Sequence, residues 1–190
     1  MLLRAWFDRR LKRRLLAPML FVCLATGHAA AQTVSNFDSV YTPLTGDGCR
    51  TVDTPELGAS VNECPGVGGY KLQILTDDGR ASVSVVAPDA SIYPLEYWSV
   101  VTGAFSSLGP RAEWVIERRQ HTPIALIVRV NYVDQQNLSA PARKSVLAVA
   151  RVNETGACVT DVVSAGVNGN VLARRAAREA LARECRRTIH

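Results

Sequence analysis

The chain has 190 residues, of which 47% are hydrophobic and 21% are charged. This composition is typical of one globular domain and excludes a disordered or fibrous protein. The formal net charge is +5, but residues 1–31 carry six of the 22 basic residues and only one of the 17 acidic residues. Residues 32–190 therefore carry 16 of each, and this neutral balance gives no support for binding to nucleic acid.

The first 31 residues have the three parts of a signal peptide: a basic start, an apolar run from Leu15 to Ala25, and small residues at Ala29 and Ala31. A transmembrane anchor needs roughly 18 apolar residues, and this run is shorter. We therefore predict that residues 1–31 are cleaved and that residues 32–190 form a single secreted α+β domain without a transmembrane anchor. Export leads to the periplasm or the medium, by either the secretory or the twin-arginine route.

The remaining sequence contains three predicted β-hairpins and one clear helix. Residues 32–69 are rich in glycine and proline and predict irregular structure. Alternating apolar residues predict the hairpins, and a short helix is expected near residues 95–104. A segment dense in Ala, Leu, Arg and Glu predicts the C-terminal helix. The hairpins pair residues 70–75 with 81–86, 111–116 with 124–133, and 146–152 with 158–165, and the helix spans 171–187. These elements predict an α+β fold with a single antiparallel sheet of about six strands and the C-terminal helix packed on one face.

Four cysteines remain once Cys23 is removed with the signal peptide: Cys49, Cys64, Cys158 and Cys185. An even number in an exported chain predicts two disulfides, with three possible pairings. A helix ending at Cys185 is about as long as the strand before it, so folding back brings Cys185 beside Cys158. This favours Cys49–Cys64 and Cys158–Cys185 without excluding the other pairings. No ligand spacing supports a zinc site, and we predict no metal or cofactor.

Several short motifs carry a resemblance to a known group of proteins. They include Cys64-Pro65-Gly66, the turn Asp78-Gly79-Arg80, Gly109-Pro110 before Glu113-Trp114, and a Cys158 strand that leads to an Ala-rich helix ending near Cys185. Over roughly residues 64 to 185 the chain resembles an uncharacterised family of exported proteobacterial proteins of unknown function. Val115 stands where the relatives commonly have arginine. The resemblance implies export and a shared fold, and it supplies no catalytic residues.

Alternation along the strands places four charged residues away from the apolar face of the predicted sheet: Glu113, Arg129, Arg151 and Asp161. Two interpretations fit such a charge ladder. It is either a ligand-binding site or a set of cross-strand ion pairs on a solvated face. As a site, it would bind an unknown protein or a small anionic ligand, with Arg129 and Arg151 as the anchors.

Motifs of the common enzyme classes are missing from the sequence. There is no Gly-x-Ser-x-Gly, the four cysteines are assigned to disulfides, and His121 has no evident partner. We therefore predict no catalytic residues and a non-enzymatic binding or interaction protein of the bacterial cell envelope. The alternative is a small periplasmic hydrolase that uses cross-strand carboxylates. An aromatic stretch, Tyr93, Tyr97, Trp98 and Phe105, is either a second candidate binding surface or the closed end of a core.

Overall fold

The computed structural model describes residues 36–54, 58–134 and 142–189. The predicted signal peptide, residues 1–31 with Cys23, lies outside the described residues. The described elements are, in chain order, β1 (Phe37–Pro43), β2 (Arg50–Asp53), β3 (Ser60–Pro65), β4 (Lys71–Asp77), β5 (Arg80–Val86), β6 (Ile92–Pro94), α1 (Tyr97–Val100), β7 (Ser106–Glu117), β8 (Thr122–Asp134), β9 (Ala142–Asn153), β10 (Gly156–Ser164) and α2 (Gly169–Arg178).

These strands form two antiparallel sheets of five strands each. One sheet, which we call the helix-facing sheet, has the order β1-β7-β8-β9-β10, and the second sheet has the order β2-β3-β4-β5-β6. Apolar side chains from both sheets belong to one buried core, so the sheets pack face to face. Leu72 and Val83 contribute from the second sheet, and Trp114, Leu126 and Val128 from the helix-facing sheet.

The outer face of the helix-facing sheet is covered by α2. A second buried cluster joins Ile127 and Val149 of the sheet to Ala173 and Ala177 of the helix. The alanines recur every four residues and form a stripe of small side chains, which lets the helix lie close to the strands. The central strands of this sheet are therefore buried on both faces.

The predicted fold class is wrong, because the protein is mostly β with two sheets rather than one. The sequence placed the helix on the apolar face that includes Trp114 and Leu126, whereas the second sheet covers that face. The helix packs on the opposite, more polar face. It also ends at Arg178 rather than continuing to residue 187; a short 3-10 helix (Ala180–Ala182) and an extended segment follow it.

The three predicted hairpins are confirmed by the strand pairs β4–β5, β7–β8 and β9–β10. In the first of them, Asp78 and Gly79 both have positive φ angles, 45° and 68°. This is the conformation that a two-residue hairpin turn requires, and Asp-Gly is a favoured sequence for it. Strong local turn chemistry explains why the sequence predicted this hairpin correctly.

The two predicted disulfides, Cys49–Cys64 and Cys158–Cys185, are also present. The first joins the start of the second sheet to β3. The second ties the segment after α2 to β10, where the Arg186 amide donates to the Val159 carbonyl at 2.7 Å. Among the described helices, none is long and apolar enough to cross a membrane.

A buried hydrogen bond tests whether the second sheet covers the Trp114 face. The indole N–H of Trp114 donates to Thr42 Oγ1 at 2.9 Å, and both side chains are buried. Replacing Thr42 with valine leaves this donor unpaired, so we expect Thr42→Val to lower the free energy of unfolding by about 1–3 kcal/mol in urea titrations. Thr51→Val, which removes an exposed hydrogen bond to Asn62, is the control and should change it by less than about 0.5 kcal/mol. Equal, small effects would place Trp114 on a solvated face.

Candidate functional site: an arginine pocket beside the helix

The four residues of the predicted charge ladder all lie on the helix-facing side of their sheet. Glu113 pairs with Ile127, Ile127 with Val149, and Val149 with Asp161. The two carboxylates thus stand at the ends of one cross-strand row and are separated by three strand spacings, roughly 14 Å. That distance is too long for a pair of carboxylates acting on one glycosidic bond.

Asp161 reaches this face because of a β-bulge. Alternation from Cys158 assigns Asp161 to the opposite side of β10, since the two positions are an odd number apart. The register between β10 and β9 shifts between Val159 and Asp161, and the extra residue restores Asp161 to the side of Cys158. Strict alternation therefore fails between Cys158 and Asp161, although Asp161 lies on the face of Glu113 to which the sequence assigned it.

Each of these carboxylates is paired with an arginine from α2 or from the segment after it. Arg174 holds Glu113 through two hydrogen bonds, from Nε to Oε1 at 2.6 Å and from Nη2 to Oε2 at 3.3 Å. Ser39 donates to the same carboxylate at 2.6 Å. Arg183 donates to Asp161 at 2.6 Å. The acids of the ladder therefore anchor the middle of α2 and the segment that follows it.

The Glu113–Arg174 pair fixes the charge of both groups. Burial raises the pKa of the Glu113 carboxyl, but the hydrogen bonds from Arg174 and Ser39 outweigh it, so the pKa lies below its ordinary value. The hydrogen bond to Glu113 is the main reason that the pKa of Arg174 is raised. Glu113 is thus ionised at neutral pH, and it neutralises one guanidinium.

The two arginines of the ladder lie at opposite ends of the helix. Arg151 donates to the Arg183 carbonyl at 3.3 Å, near the Cys158–Cys185 disulfide. Arg129 lies near the start of α2, where it donates to Ser145 Oγ at 3.0 Å. The structure therefore brings Arg129 together with Glu113 and separates both from Arg151 and Asp161.

Arg129 and Glu113 line a pocket of about 250 Å3 at this end of the helix. We call it the arginine pocket. Its polar lining comes from Tyr41, Arg111, Glu113, Arg129, Asn170 and Arg174. Four elements supply these residues: β1, the bulged part of β7, its neighbour β8, and the first turns of α2. Four of these site residues were not predicted from the sequence: Tyr41, Arg111, Asn170 and Arg174.

A bulge in β7 shapes the arginine pocket. The register with β8 shifts between Leu108 and Ala112, which turns Gly109, Pro110 and Arg111 out of the regular ladder. Gly109 is buried against Arg129, and a Cβ atom at this position would come within 2.9 Å of the Arg129 Cβ. Glycine is therefore required for the Arg129 side chain to pass beside this strand.

The arginine pocket carries more positive than negative charge. Among the described residues, neither Arg129 nor Arg111 forms an ion pair with a carboxylate. Arg111 lies over the Tyr41 ring at 5.7 Å from its centroid, and Tyr41 also accepts a hydrogen bond from Arg174 at 2.7 Å. The pocket is therefore lined by three guanidinium groups and one carboxylate, that of Glu113. The arrangement favours an anion that brings its own oxygen acceptors.

Other parts of the surface are less well suited to a charged ligand. A larger cleft of about 680 Å3 lies at the opposite end of the sheet, where it is lined by loop residues that include Asp89, Gln120 and Glu154. It contains none of the predicted site residues. The aromatic stretch does not form one binding surface, because Tyr97 is buried in the core whereas Phe105 is exposed against Gly79.

No group of three or more His, Cys, Asp or Glu side chains in the described part of the chain is placed to hold a metal ion.

Comparisons of the chain with models of known protein families, with curated proteins and with solved structures find no match in any of the three. The arginine pocket therefore has to be interpreted from its own chemistry.

The anchoring role of Glu113 predicts a pH-dependent loss of stability in Glu113→Gln. Because the folded-state pKa is lowered, the ion pair stabilises the protein above the unfolded pKa of about 4.3 and loses this effect as the pH falls through the folded value. We expect the variant to be less stable by about 1.5–3 kcal/mol at pH 7, with the difference disappearing in acid. Denaturant unfolding at several pH values measures this.

Asp38→Asn is the matched control for this experiment. Asp38 also pairs with an arginine on the helix-facing sheet, but both Asp38 and Arg118 are about half exposed. We expect a loss of less than about 1 kcal/mol from this variant. A loss from Glu113→Gln that is equally small, or that persists unchanged in acid, would contradict the anchoring role.

Proposed function

We propose that this protein is an exported, non-enzymatic binding protein of the bacterial cell envelope that holds an anionic group in the arginine pocket. The group is a carboxylate or a phosphate, the two ligand groups that match the fork of guanidinium donors. The observation that carries the proposal is the position of Arg129. Its guanidinium is half-buried, lines the pocket, and has Ser145 rather than a carboxylate as its partner.

The surroundings of Arg129 support a binding role. Glu113 is occupied by Arg174 and is therefore not free to neutralise Arg129. The partly buried setting reduces screening by water, so an added anion interacts with the unpaired charge more strongly than on an open surface. Asn170 and Tyr41 add neutral hydrogen-bonding groups at the rim. An anion with two or three oxygens can contact several of these donors at once.

Two further observations support export. The N-terminal pattern is that of a signal peptide, and two disulfides are typical of proteins that fold in an oxidising compartment. The enzyme alternative gains no comparable support. Its cross-strand carboxylates, Glu113 and Asp161, are far apart and are each held by an arginine.

Binding of inorganic phosphate and of acetate tests the proposal. Calorimetric titration at constant ionic strength should give saturable binding of at least one of the two anions by the purified protein. Arg129→Gln should weaken this binding at least about tenfold, which corresponds to the loss of one hydrogen bond between charged groups. The variant should unfold within about 0.5 kcal/mol of the parent protein, because Arg129 has no ion pair to lose.

Arg151→Gln is the matched control. Arg151 is a half-buried arginine on the same face of the same sheet, but it lies at the other end of the helix. We expect this variant to bind the anions as the parent protein does. Absence of saturable binding to both anions, or equal weakening by the two variants, would refute the arginine pocket as the binding site.

A further inference from the structure

The end of the molecule beside the arginine pocket carries an exposed apolar cluster. Val167 lies in the turn between β10 and α2, and Val171 and Leu172 lie in the first turn of the helix. Their exposed fractions are 104%, 67% and 51%. We call these three residues the apolar tip. Single exposed apolar residues are common on proteins, but here three of them project from one short turn.

Helical geometry places the apolar tip relative to the basic residues. Ala173 and Ala177 face the sheet, so Val171, Arg175 and Arg178 lie along the opposite, outward side of α2. All three of these outward residues are exposed. The outer side of the helix is therefore apolar at its start and carries Arg175 and Arg178 one and two turns later, with Arg175 3.8 Å from the exposed Glu179.

The arginine pocket adjoins the same turn of the helix. Asn170 and Arg174, which flank Val171 in the helix, both line the pocket. The apolar tip and the pocket with the unpaired Arg129 thus occupy one end of the molecule, and Arg175 and Arg178 extend from the tip along the outer side of α2. A small soluble anion accounts for the pocket but leaves the apolar tip without a role.

We propose that this end of the protein binds a membrane surface rich in anionic phospholipid. The apolar tip enters the boundary between headgroups and acyl chains, Arg175 and Arg178 lie against the negative surface, and the arginine pocket holds a lipid phosphate. The inference rests on the proposed function, because the pocket must bind an anion. Charge complementarity favours this occupant, since basic residues beside a short apolar insertion are the combination that binds anionic interfaces.

A lipid surface also fits the shape of the apolar tip better than an acidic protein does. Val167 precedes α2, whereas Val171 and Leu172 are successive helix residues and therefore point roughly 100° apart around the helix axis. A protein partner would need a matching groove for each of them, whereas the fluid interfacial region of a membrane accepts an irregular projection. The Ala-rich stripe takes no part, because it is buried against the sheet.

Vesicle binding tests the inference. The protein, produced from the full chain with its disulfides formed, is sedimented with vesicles of phosphatidylcholine alone or of phosphatidylcholine mixed with phosphatidylglycerol. We expect binding to the mixed vesicles that weakens with salt and little binding to the neutral ones. The triple variant V167S/V171S/L172S should lose about tenfold or more of this binding, and its inorganic phosphate binding should stay unchanged.

The control variant is V52S/I92S, which removes two apolar side chains that are exposed on the second sheet. It should bind the mixed vesicles as the parent protein does. Arg129→Gln should weaken both vesicle binding and phosphate binding. Circular dichroism of each variant establishes that the fold is retained.

The possible outcomes separate the two proposals. If phosphate binds through Arg129 but the mixed vesicles do not bind, or bind the triple variant equally well, the membrane inference is overturned and the proposed function stands. If vesicles bind but neither phosphate nor acetate does, the proposed function fails, and with it the assignment of the pocket to a lipid phosphate. If the parent protein is a dimer in sedimentation velocity and the triple variant a monomer, the apolar tip contacts a second copy instead, and the membrane inference is overturned.

Discussion

The central strands of the helix-facing sheet are buried on both faces, and the other features of the structure depend on this constraint. One face is apolar and packs on the second sheet. The other face carries Glu113 and Asp161 and is covered by α2. A carboxylate under a helix must be paired, because burying an unpaired charge costs several kcal/mol. Arg174 and Arg183 supply the pairs, and in doing so they fix where the helix lies.

The same constraint distinguishes the two ends of the helix. At the Asp161 end, Arg183 pairs with both Asp161 and Glu179, and its carbonyl accepts a hydrogen bond from Arg151; Asp161 Oδ2 and Arg183 Nε are buried without a hydrogen-bond partner. At the Glu113 end, Arg174 pairs with Glu113, the one carboxylate among the described residues that line the pocket, and Arg129 donates to the Ser145 hydroxyl. The bulge at Gly109 then keeps the space beside Arg129 open. A structural ion pair thus leaves a neighbouring arginine available for a ligand.

Local patterns in the sequence predicted the hairpins and the start of the Ala-rich helix, because each depends on nearby residues. Matching the lengths of helix and strand favoured the observed disulfide pairing but left the two other pairings open. The second sheet was missed because its first strand, β2, has four exposed residues and therefore no alternation. Strand β1 of the helix-facing sheet was missed for the same reason, because its residues are mostly exposed. The β-bulge before Asp161 interrupts the two-residue alternation of side chains along β10. The partners of Glu113, Arg174 and Tyr41, are far from it in the chain. Of the predicted site, Glu113 and Arg129 lie together in the arginine pocket; the binding role of all four ladder residues stays a prediction.

The most direct test of this arrangement is an NMR measurement of the arginine Nε–H signals with and without inorganic phosphate. In the free protein, the Arg174 signal should be protected from exchange with water by the hydrogen bond to Glu113, whereas the Arg129 signal should exchange rapidly. Adding phosphate should shift and protect the Arg129 signal and leave that of Arg151 unchanged. An Arg174 signal that exchanges as fast as that of Arg129 in the free protein, or an Arg129 signal that does not respond to phosphate, would contradict both the helix anchor and the pocket beside it.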